Sequence, residues 1–249
     1  MIAAIHQPNF LPWLGYLDRM RRADVFIVLD HVQFERRNYQ NRTRIRLDGH
    51  GHWLTVPVHQ HSRQERILDK RIDNPAPGER GWAADLGRTL RHAYRDAPFL
   101  ERYLTPLREL LDARPESLVE LDLAMLDLLR TAFAIDTPIV RSSRLGVDGA
   151  KSALILNLCR AVGADAYLAG MGGSRAYLDG EAFADAGIAI DWQDFAHPRY
   201  RQCGGGEFLP GLSAIDLLFN LGPESRQLLA APPPPRPAVV AERRELSYS

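Results

Sequence analysis

The first thirty residues, MIAAIHQPNFLPWLGYLDRMRRADVFIVLD (1–30), determine the fold. Residues 1–5 are a short apolar run that stops at His-Gln-Pro-Asn (6–9), which predicts a buried strand ending in a loop. A helix is expected from about Leu14 to Arg22, and residues 23–30 predict a second buried strand. A strand, a helix and a strand within thirty residues form the βαβ unit of a parallel sheet with a right-handed crossover.

The rest of the chain continues this alternation. Apolar residues recur at helical spacing from Trp82 to Phe133, and breaks expected at Pro98, Pro106 and Pro115 predict about three helices there. Further strands are expected at 52–58, 137–143, 165–170 and 188–195, and further helices at 151–164 and at 212–222 with Ser213 as N-cap. The predicted fold is therefore α/β, a mostly parallel sheet with flanking helices.

The organisation expected is one α/β domain over residues 1–231, with a helical insertion at about 79–135. A proline-rich C-terminal tail (232–249) follows, which cannot form a core and is expected to be extended or to pair with a partner.

Composition limits which partners and which cellular location are expected for this protein. The 31 basic residues balance the 31 acidic ones, so no global field favours nucleic acid as a partner. No apolar stretch approaches the ~18 residues of a membrane helix. The two cysteines and the absence of a signal-peptide pattern at the N-terminus predict a cytoplasmic protein without a disulfide framework.

His6 is the main catalytic candidate, because it ends the first strand and the ordinary pKa of histidine suits proton transfer near neutral pH. Ligands of parallel sheets bind beyond the carboxyl ends of the strands. We therefore expect Gln7, Asn9 and Asp30 to converge beside it, with Asp30 orienting His6 or binding a substrate amine. The structural alternatives are a histidine that holds the turn and an aspartate that caps a loop.

A local basic segment provides candidate anion ligands. Residues 35–46 contain five arginines and one glutamate. Amide and guanidinium donors suited to phosphate or carboxylate are Gln33, Arg36, Arg37, Asn41 and Arg42. Arg37 and Asn41 would share a face if the segment were helical. A solvated surface is the alternative for some of them.

Two further strand ends could bind an anion. The turn after the strand at 165–170 carries Gly172, Gly173 and Ser174, whose backbone N–H groups can face a phosphate, with Tyr177 in the same turn. Ser142 and Ser143 end the strand at 137–143 and could help to bind phosphate.

No metal site is predicted. His50, His52, His59 and His61 flank one expected strand, but this seven-residue strand (52–58) would span about 20 Å at ~3.3 Å per residue. Cys203, in a glycine-rich setting near His197, is either a nucleophile or an incidental thiol.

Three blocks of sequence resemble the WbqC-like family. HQPNFLPWLGYLDRM (6–20), LDHVQFERRNYQNRTRI (29–45) and WLTVPV (53–58) resemble its N-terminal signature, and GADAYLAGMGGSRAYLD, HPRYRQ and FLPGLSAIDLLFNLG resemble its second half. The resemblance spans most of residues 2–222. It implies a role in O-antigen, polysaccharide or natural-product biosynthesis.

A more distant similarity connects the N-terminal unit with nucleotidylyltransferases and pantothenate synthetase, which place a His-x-Gly-His motif at this location to hold phosphates. Here Trp13 and Tyr16 replace the two histidines. The similarity therefore favours a shared fold over a shared reaction. Tyr16 could donate a hydrogen bond to a developing charge, and Trp13 could wall the pocket or pack the first helix.

Three functions follow as hypotheses. The first is group transfer, in which an acyl or aminoacyl group moves from a CoA thioester or an acyl or peptidyl carrier protein to an amine. The second is a nucleotide-dependent ligase or nucleotidylyltransferase, and the third is a non-enzymatic scaffold of a biosynthetic complex. A small-molecule substrate is expected in the enzymatic cases, no cofactor is expected to be obligatory, and neither nucleic acid nor membrane is an expected partner.

Overall fold

The computed structural model describes residues 1–62, 64–76, 78–172 and 176–230. Gly173 and the tail at 232–249 lie outside the described residues. The strands are β1 (Ile2–His6), β2 (Val25–Val28), β3 (Arg42–Leu47), β4 (His50–Thr55), β5 (Ile139–Arg141), β6 (Ala166–Ala169) and β7 (Ala189–Trp192). The helices are α1 (Leu14–Arg21), α2 (Trp82–Ala93), α3 (Leu100–Asp112), α4 (Leu118–Phe133), α5 (Lys151–Ala161), α6 (Gly180–Asp185), α7 (Ala214–Leu221) and α8 (Ser225–Ala230).

A parallel sheet in the order β5-β2-β1-β6-β7 forms the centre of the protein. This confirms the α/β prediction. The chain runs outward from β1 through β2 to β5 and then crosses over β1 to continue in β6 and β7. The strand order therefore reverses between β1 and β6, which is the arrangement of a doubly wound sheet.

The three central strands, β1, β2 and β6, bury both faces, as a parallel sheet covered by helices requires, whereas the edge strands β5 and β7 are partly exposed. Side chains that alternate along the strands enter two separate cores. Ala4, Phe26, Val28 and Leu168 belong to the core shared with α1, α2, α3, α4 and α7. Ala3, Ile5, Ile27, Tyr167 and Ala169 belong to the core shared with α5 and α6. The helices between 79 and 135 thus pack in the same core as the sheet.

Two expectations for secondary structure are wrong. The break expected at Pro106 does not occur, because α3 continues through it. A proline removes one helical hydrogen bond, but the buried face of Leu100, Leu104, Leu107 and Leu111 holds the helix in place. The strand expected at 52–58 lies at His50–Thr55 and pairs antiparallel with β3 as a hairpin outside the main sheet. Ser213 does cap α7, since its hydroxyl accepts a hydrogen bond from the Ile215 N–H.

Within the helical layer, the carboxyl group of Asp122 on α4 is 2% exposed. Neither of its oxygens has a hydrogen-bond partner among the described residues. Burial raises the pKa of this carboxyl well above its usual value. The stability it contributes is thus complete below the unfolded-state pKa and is lost as the pH rises through the folded-state pKa.

We therefore expect Asp122→Asn to raise the free energy of unfolding at pH 7.5 by on the order of 1 kcal/mol, because the amide cannot ionise. The gain should shrink towards pH 4, and urea denaturation at both pH values measures it. Asp127→Asn, an exposed position on the same helix, is the matched control. An equal gain at both pH values would contradict a neutral carboxyl at Asp122.

Candidate functional site

The reversal of strand order creates a crevice at the carboxyl ends of β1 and β6, where ligands of doubly wound sheets bind. A cavity of about 300 Å³ lies there. Its walls come from the ends of both strands, from α1 and α5, and from the turns after β2 and β6. The lining residues are Ile5, His6, Gln7, Arg19, Leu29, Asn38, Ile155, Tyr167, Gly170, Gly172 and Tyr177. We call this space the switch-point cavity.

His6 is held as a neutral imidazole at the end of β1. Its Nδ1 lies 2.9 Å from the backbone oxygen of Gln7. A carbonyl can only accept, so Nδ1 carries the proton and Nε2 keeps a free lone pair. Nε2 has no hydrogen-bond partner in the described part of the chain. Burial, together with the nearby Arg19 charge, lowers the pKa of His6 to about 3.

Arg19, on α1, brings a cation into the cavity. Its side chain is only 8% exposed, and Nε donates to Gln193 Oε1 at 3.1 Å. Within the described ranges, the guanidinium forms no ion pair and its terminal nitrogens have no hydrogen-bond acceptor. Burial lowers the pKa of this guanidinium, but an arginine keeps its charge at neutral pH.

Gln193 fixes the position of that guanidinium. It follows β7, and its amide nitrogen donates to the Gly15 carbonyl at 2.8 Å and to Asp18 Oδ2 at 2.9 Å. The same side chain that accepts from Arg19 is thus tied twice to α1. Arg19 cannot swing out of the cavity without breaking this arrangement.

The glycine that follows β6 makes room for the cation. A Cβ atom at Gly170 would overlap the Arg19 guanidinium, whereas a Cβ at Gly172 would meet nothing within 4 Å. The close approach of Arg19 therefore requires glycine at position 170.

Four residues predicted for the site line the switch-point cavity, namely His6, Gln7, Gly172 and Tyr177. The Gln7 side-chain oxygen accepts a hydrogen bond from Gln40 Nε2 at 2.8 Å. This orients the Gln7 amide beside His6.

Asp30 lies apart from the lining of this cavity, contrary to the expected convergence on His6. It is fully buried and accepts from Arg141 Nε at 2.7 Å, Ser143 Oγ at 2.8 Å, the Ser143 N–H at 3.0 Å and Ser142 Oγ at 3.1 Å. Burial alone would raise the pKa of this carboxyl, but the donors from Arg141 and Ser143 outweigh it and hold the pKa below its usual value. Hydrogen bonds between Asp30 and Ser143 therefore connect the ends of β2 and β5.

The other aromatic and amide candidates are mostly packed inside. The Tyr16 ring lies tilted against the His6 ring, with 4.7 Å between the ring centres, and its enclosed hydroxyl has no partner among the described residues. Trp13 packs over Gly15 and edge-on against Phe195 at 5.5 Å. Asn9 is buried.

The basic segment forms a second, shallower space. Residues 36–40 adopt turns rather than a helix. A cleft of about 370 Å³ is lined by Phe34, Arg36, Arg37, Asn41, Arg42, Thr55 and Gln60. We call it the arginine cleft. Gln33 lies outside it, where it bridges to Arg66.

A larger cavity, about 660 Å³, lies between the turn before α3 and the loop at 200–208. Several of its polar wall groups are already bonded to one another, although Arg46 Nε has no partner among the described residues. Arg46 donates to Gln202 Oε1 at 2.9 Å and to the Glu207 carbonyl at 2.8 Å, and Gln202 donates to Asp216 at 3.1 Å. Because volume alone does not bring reactive groups together, we place the site at the switch point.

Cys203 lines that larger cavity, and burial raises the pKa of its thiol to about 11. A thiol of this kind is almost entirely protonated at pH 7.4 and reacts slowly. We expect iodoacetamide to modify native Cys203 at least tenfold more slowly at pH 7.4 than free cysteine, as followed by mass spectrometry. Labelling at the rate of free cysteine would contradict the raised pKa. Cys203→Ser provides the background rate from Cys159.

The described residues contain no group of three or more histidine, cysteine or carboxylate side chains placed to hold a metal ion. His59 and His61 stack on each other at 6.0 Å, and His50 and His52 are exposed on β4. Among the same residues, no helix combines the length and apolar character needed to cross a membrane.

Arg19 and Gln193 were missed from sequence. The signal for Arg19 was its position three residues after Tyr16, which places both on one face of α1. Nothing local points to Gln193, because its partners lie more than 170 residues away in the chain.

Fold and cavity together define a doubly wound α/β protein with a polar cavity at its topological switch point. The chain belongs to the WbqC-like protein family, whose model matches residues 7–228. It is 32% identical over 231 residues to the uncharacterized protein Rv1507c of Mycobacterium tuberculosis (strain ATCC 25618 / H37Rv), covering 91% of this chain and 96% of that protein. No solved structure matches.

The geometry of His6 predicts its titration. Because burial and Arg19 hold its pKa at about 3, we expect the His6 ring to stay neutral, protonated at Nδ1, from pH 5 to pH 8. Two-dimensional ¹⁵N–¹H NMR of the imidazole nitrogens, assigned with His6→Gln, measures both the tautomer and the pKa. A midpoint near 6.5 would show that the ring is solvated and free of the influence of Arg19.

Proposed function

We propose that this protein is a biosynthetic group-transfer enzyme that acts in the switch-point cavity. It moves an acyl or aminoacyl group from a thioester to the amine of a small anionic acceptor. Membership of the WbqC-like family favours a biosynthetic role. The observation that carries the proposal is the unpaired, buried Arg19 guanidinium beside the free Nε2 of a neutral His6.

The anionic acceptor follows from the cost of burying Arg19. Removing a charge from water costs several kcal/mol unless a counter-charge compensates it. Gln193 satisfies only Nε. A carboxylate or phosphate of the acceptor would accept from the terminal nitrogens in the fork geometry that guanidinium groups favour.

The reaction follows from His6. The acceptor amine attacks the thioester carbonyl carbon, so that a C–N bond forms and the C–S bond breaks. The proton lost by the amine passes to Nε2 and then to the departing thiolate, which leaves as a thiol. The imidazole ends as it began, and no redox partner is needed. Gln7, oriented by Gln40, lies next to the reacting groups.

The test is an assay of the purified protein with acetyl-CoA and with aminoacyl thioesters of N-acetylcysteamine, each with carboxylate-bearing and phosphate-bearing amines, using mass spectrometry to detect the amide. With a productive pair, His6→Gln should lower kcat by about 10²- to 10⁴-fold. Arg19→Met should chiefly raise KM for the acceptor, by about tenfold or more.

Glycines 170 and 172 provide a matched pair. Gly170→Ala displaces the Arg19 guanidinium and should raise KM for the acceptor, whereas Gly172→Ala, with open space around its Cβ, should leave KM within about twofold. Equal effects of the two substitutions, or full activity of His6→Gln, would sink the proposal. Release of pyrophosphate from ATP in the same assay would favour a nucleotide-dependent ligase instead.

A further inference from the structure

The switch-point cavity is too small for a whole thioester donor. Its volume of about 300 Å³ lies at the lower end of the range for small-ligand sites, about 300–1,000 Å³. It has room for the acceptor and the reacting end of the donor. The remainder of the donor must lie outside, along an adjoining surface.

The arginine cleft adjoins the cavity through consecutive residues. Asn38 lines the switch-point cavity, and Arg37 lines the arginine cleft. Neighbouring Cα atoms are about 3.8 Å apart, so the linings of the two spaces meet at this turn. The turn between them is fastened in two places: the Phe10 N–H donates to the Tyr39 carbonyl at 2.9 Å, and Arg42 Nη2 donates to the Arg37 carbonyl.

The positive charge at this surface lacks a counter-charge. Arg36, Arg37, Arg42 and Arg44 form no ion pair with any carboxylate of the described residues. Arg42 Nε is shielded from solvent and has no acceptor within the same residues. Elsewhere on this electrically balanced chain, exposed arginines such as Arg66, Arg80 and Arg91 pair with nearby acids.

Aromatic rings stand beside these guanidinium groups. Trp53 lies opposite Arg44 in the β3–β4 hairpin, and the Arg42 guanidinium lies 4.1 Å from the Trp53 ring centre. Tyr39 is 5.4 Å from the same ring. Both rings are more than a third exposed. Guanidinium groups beside exposed aromatic rings are chemistry that suits a phosphate attached to an organic group.

We propose that the arginine cleft binds the phosphate-bearing end of the donor whose reactive end lies at His6. This inference rests on the proposed function and assigns the donor to a class, the phosphorylated carriers of activated groups. CoA and a nucleoside diphosphate share this chemistry. The arginine cleft binds the phosphates, and the rest of the ligand passes the turn at Arg37 and Asn38 into the switch-point cavity.

Isothermal titration calorimetry with CoA, UDP and inorganic pyrophosphate tests this proposal. Arg36→Gln/Arg37→Gln should weaken binding of the tightest probe by tenfold or more, since two charge-assisted contacts are lost. The matched control is Arg102→Gln/Arg108→Gln, which removes the same charge from exposed positions on α3 and should change Kd less than twofold. Raising the salt concentration should weaken wild-type binding more than binding to the cleft variant.

The probes also identify the source of the phosphate. Tightest binding of CoA supports a CoA-type donor, and tightest binding of UDP supports a nucleotide-linked one. Equal binding of pyrophosphate supports recognition of the phosphates alone. No binding of any probe, or binding that survives Arg36→Gln/Arg37→Gln but is lost in Arg19→Met, would overturn the proposal. Because the measurement is of binding, it fails independently of the loss of turnover in His6→Gln that tests the proposed function.

Discussion

The arrangement at the switch point depends on holding the Arg19 guanidinium inside the protein without a direct ion pair among the described residues, although the Asp18 carboxylate, paired with Arg21 and Arg22, acts on it electrostatically. An unpaired buried cation is expensive, so every neighbour has to favour its presence. Gln193 binds Nε and is itself held by α1. Gly170 leaves the space that the guanidinium fills. A protein built for stability alone would replace this arginine by an apolar residue, and this is the reason for the proposal that a ligand supplies an anion to it.

The buried Asp216 shows what a structural charge looks like in the same fold. Its oxygens accept from Tyr200 at 2.7 Å, Tyr94 at 2.9 Å and Gln202 at 3.1 Å. Burial raises the pKa of this carboxyl against the opposing effect of those donors. Its partners come from the C-terminal end of α2 and from the loop at 200–208, so the network joins both to α7. Among the described residues, Arg19 has a single side-chain acceptor, Gln193 Oε1, and this contrast with Asp216 supports the proposal that its guanidinium binds a ligand.

The sheet could be predicted from sequence because each strand of it is a short apolar run, readable without knowledge of its neighbours. The position of His6 followed from the same reading, since the end of β1 is a property of the chain itself. The role of the Arg19 guanidinium could not be predicted from sequence, because its position depends on Gln193 and Gly170, which only the tertiary structure brings to α1. For Asp30 the sequence suggested a site residue that does not line the cavity. A carboxylate at a strand end was expected in the site, but Arg141 and Ser143, more than a hundred residues away in the chain, donate hydrogen bonds to it.

The low pKa of His6 implies that, in the proposed reaction, the acceptor binds before the acyl group is transferred. Before an acceptor binds to Arg19, burial and the Arg19 charge keep the imidazole a weak base, so a water molecule near a bound thioester gains little help in attacking it. An acceptor anion on Arg19 removes the electrostatic part of that effect, and the basicity of Nε2 rises towards the range that suits proton transfer at neutral pH. Burial continues to oppose the charged ring, so the rise is partial. His6 thus becomes a stronger base when the correct acceptor is present. Arg19, which binds the acceptor, thereby favours transfer to the amine over hydrolysis of the donor.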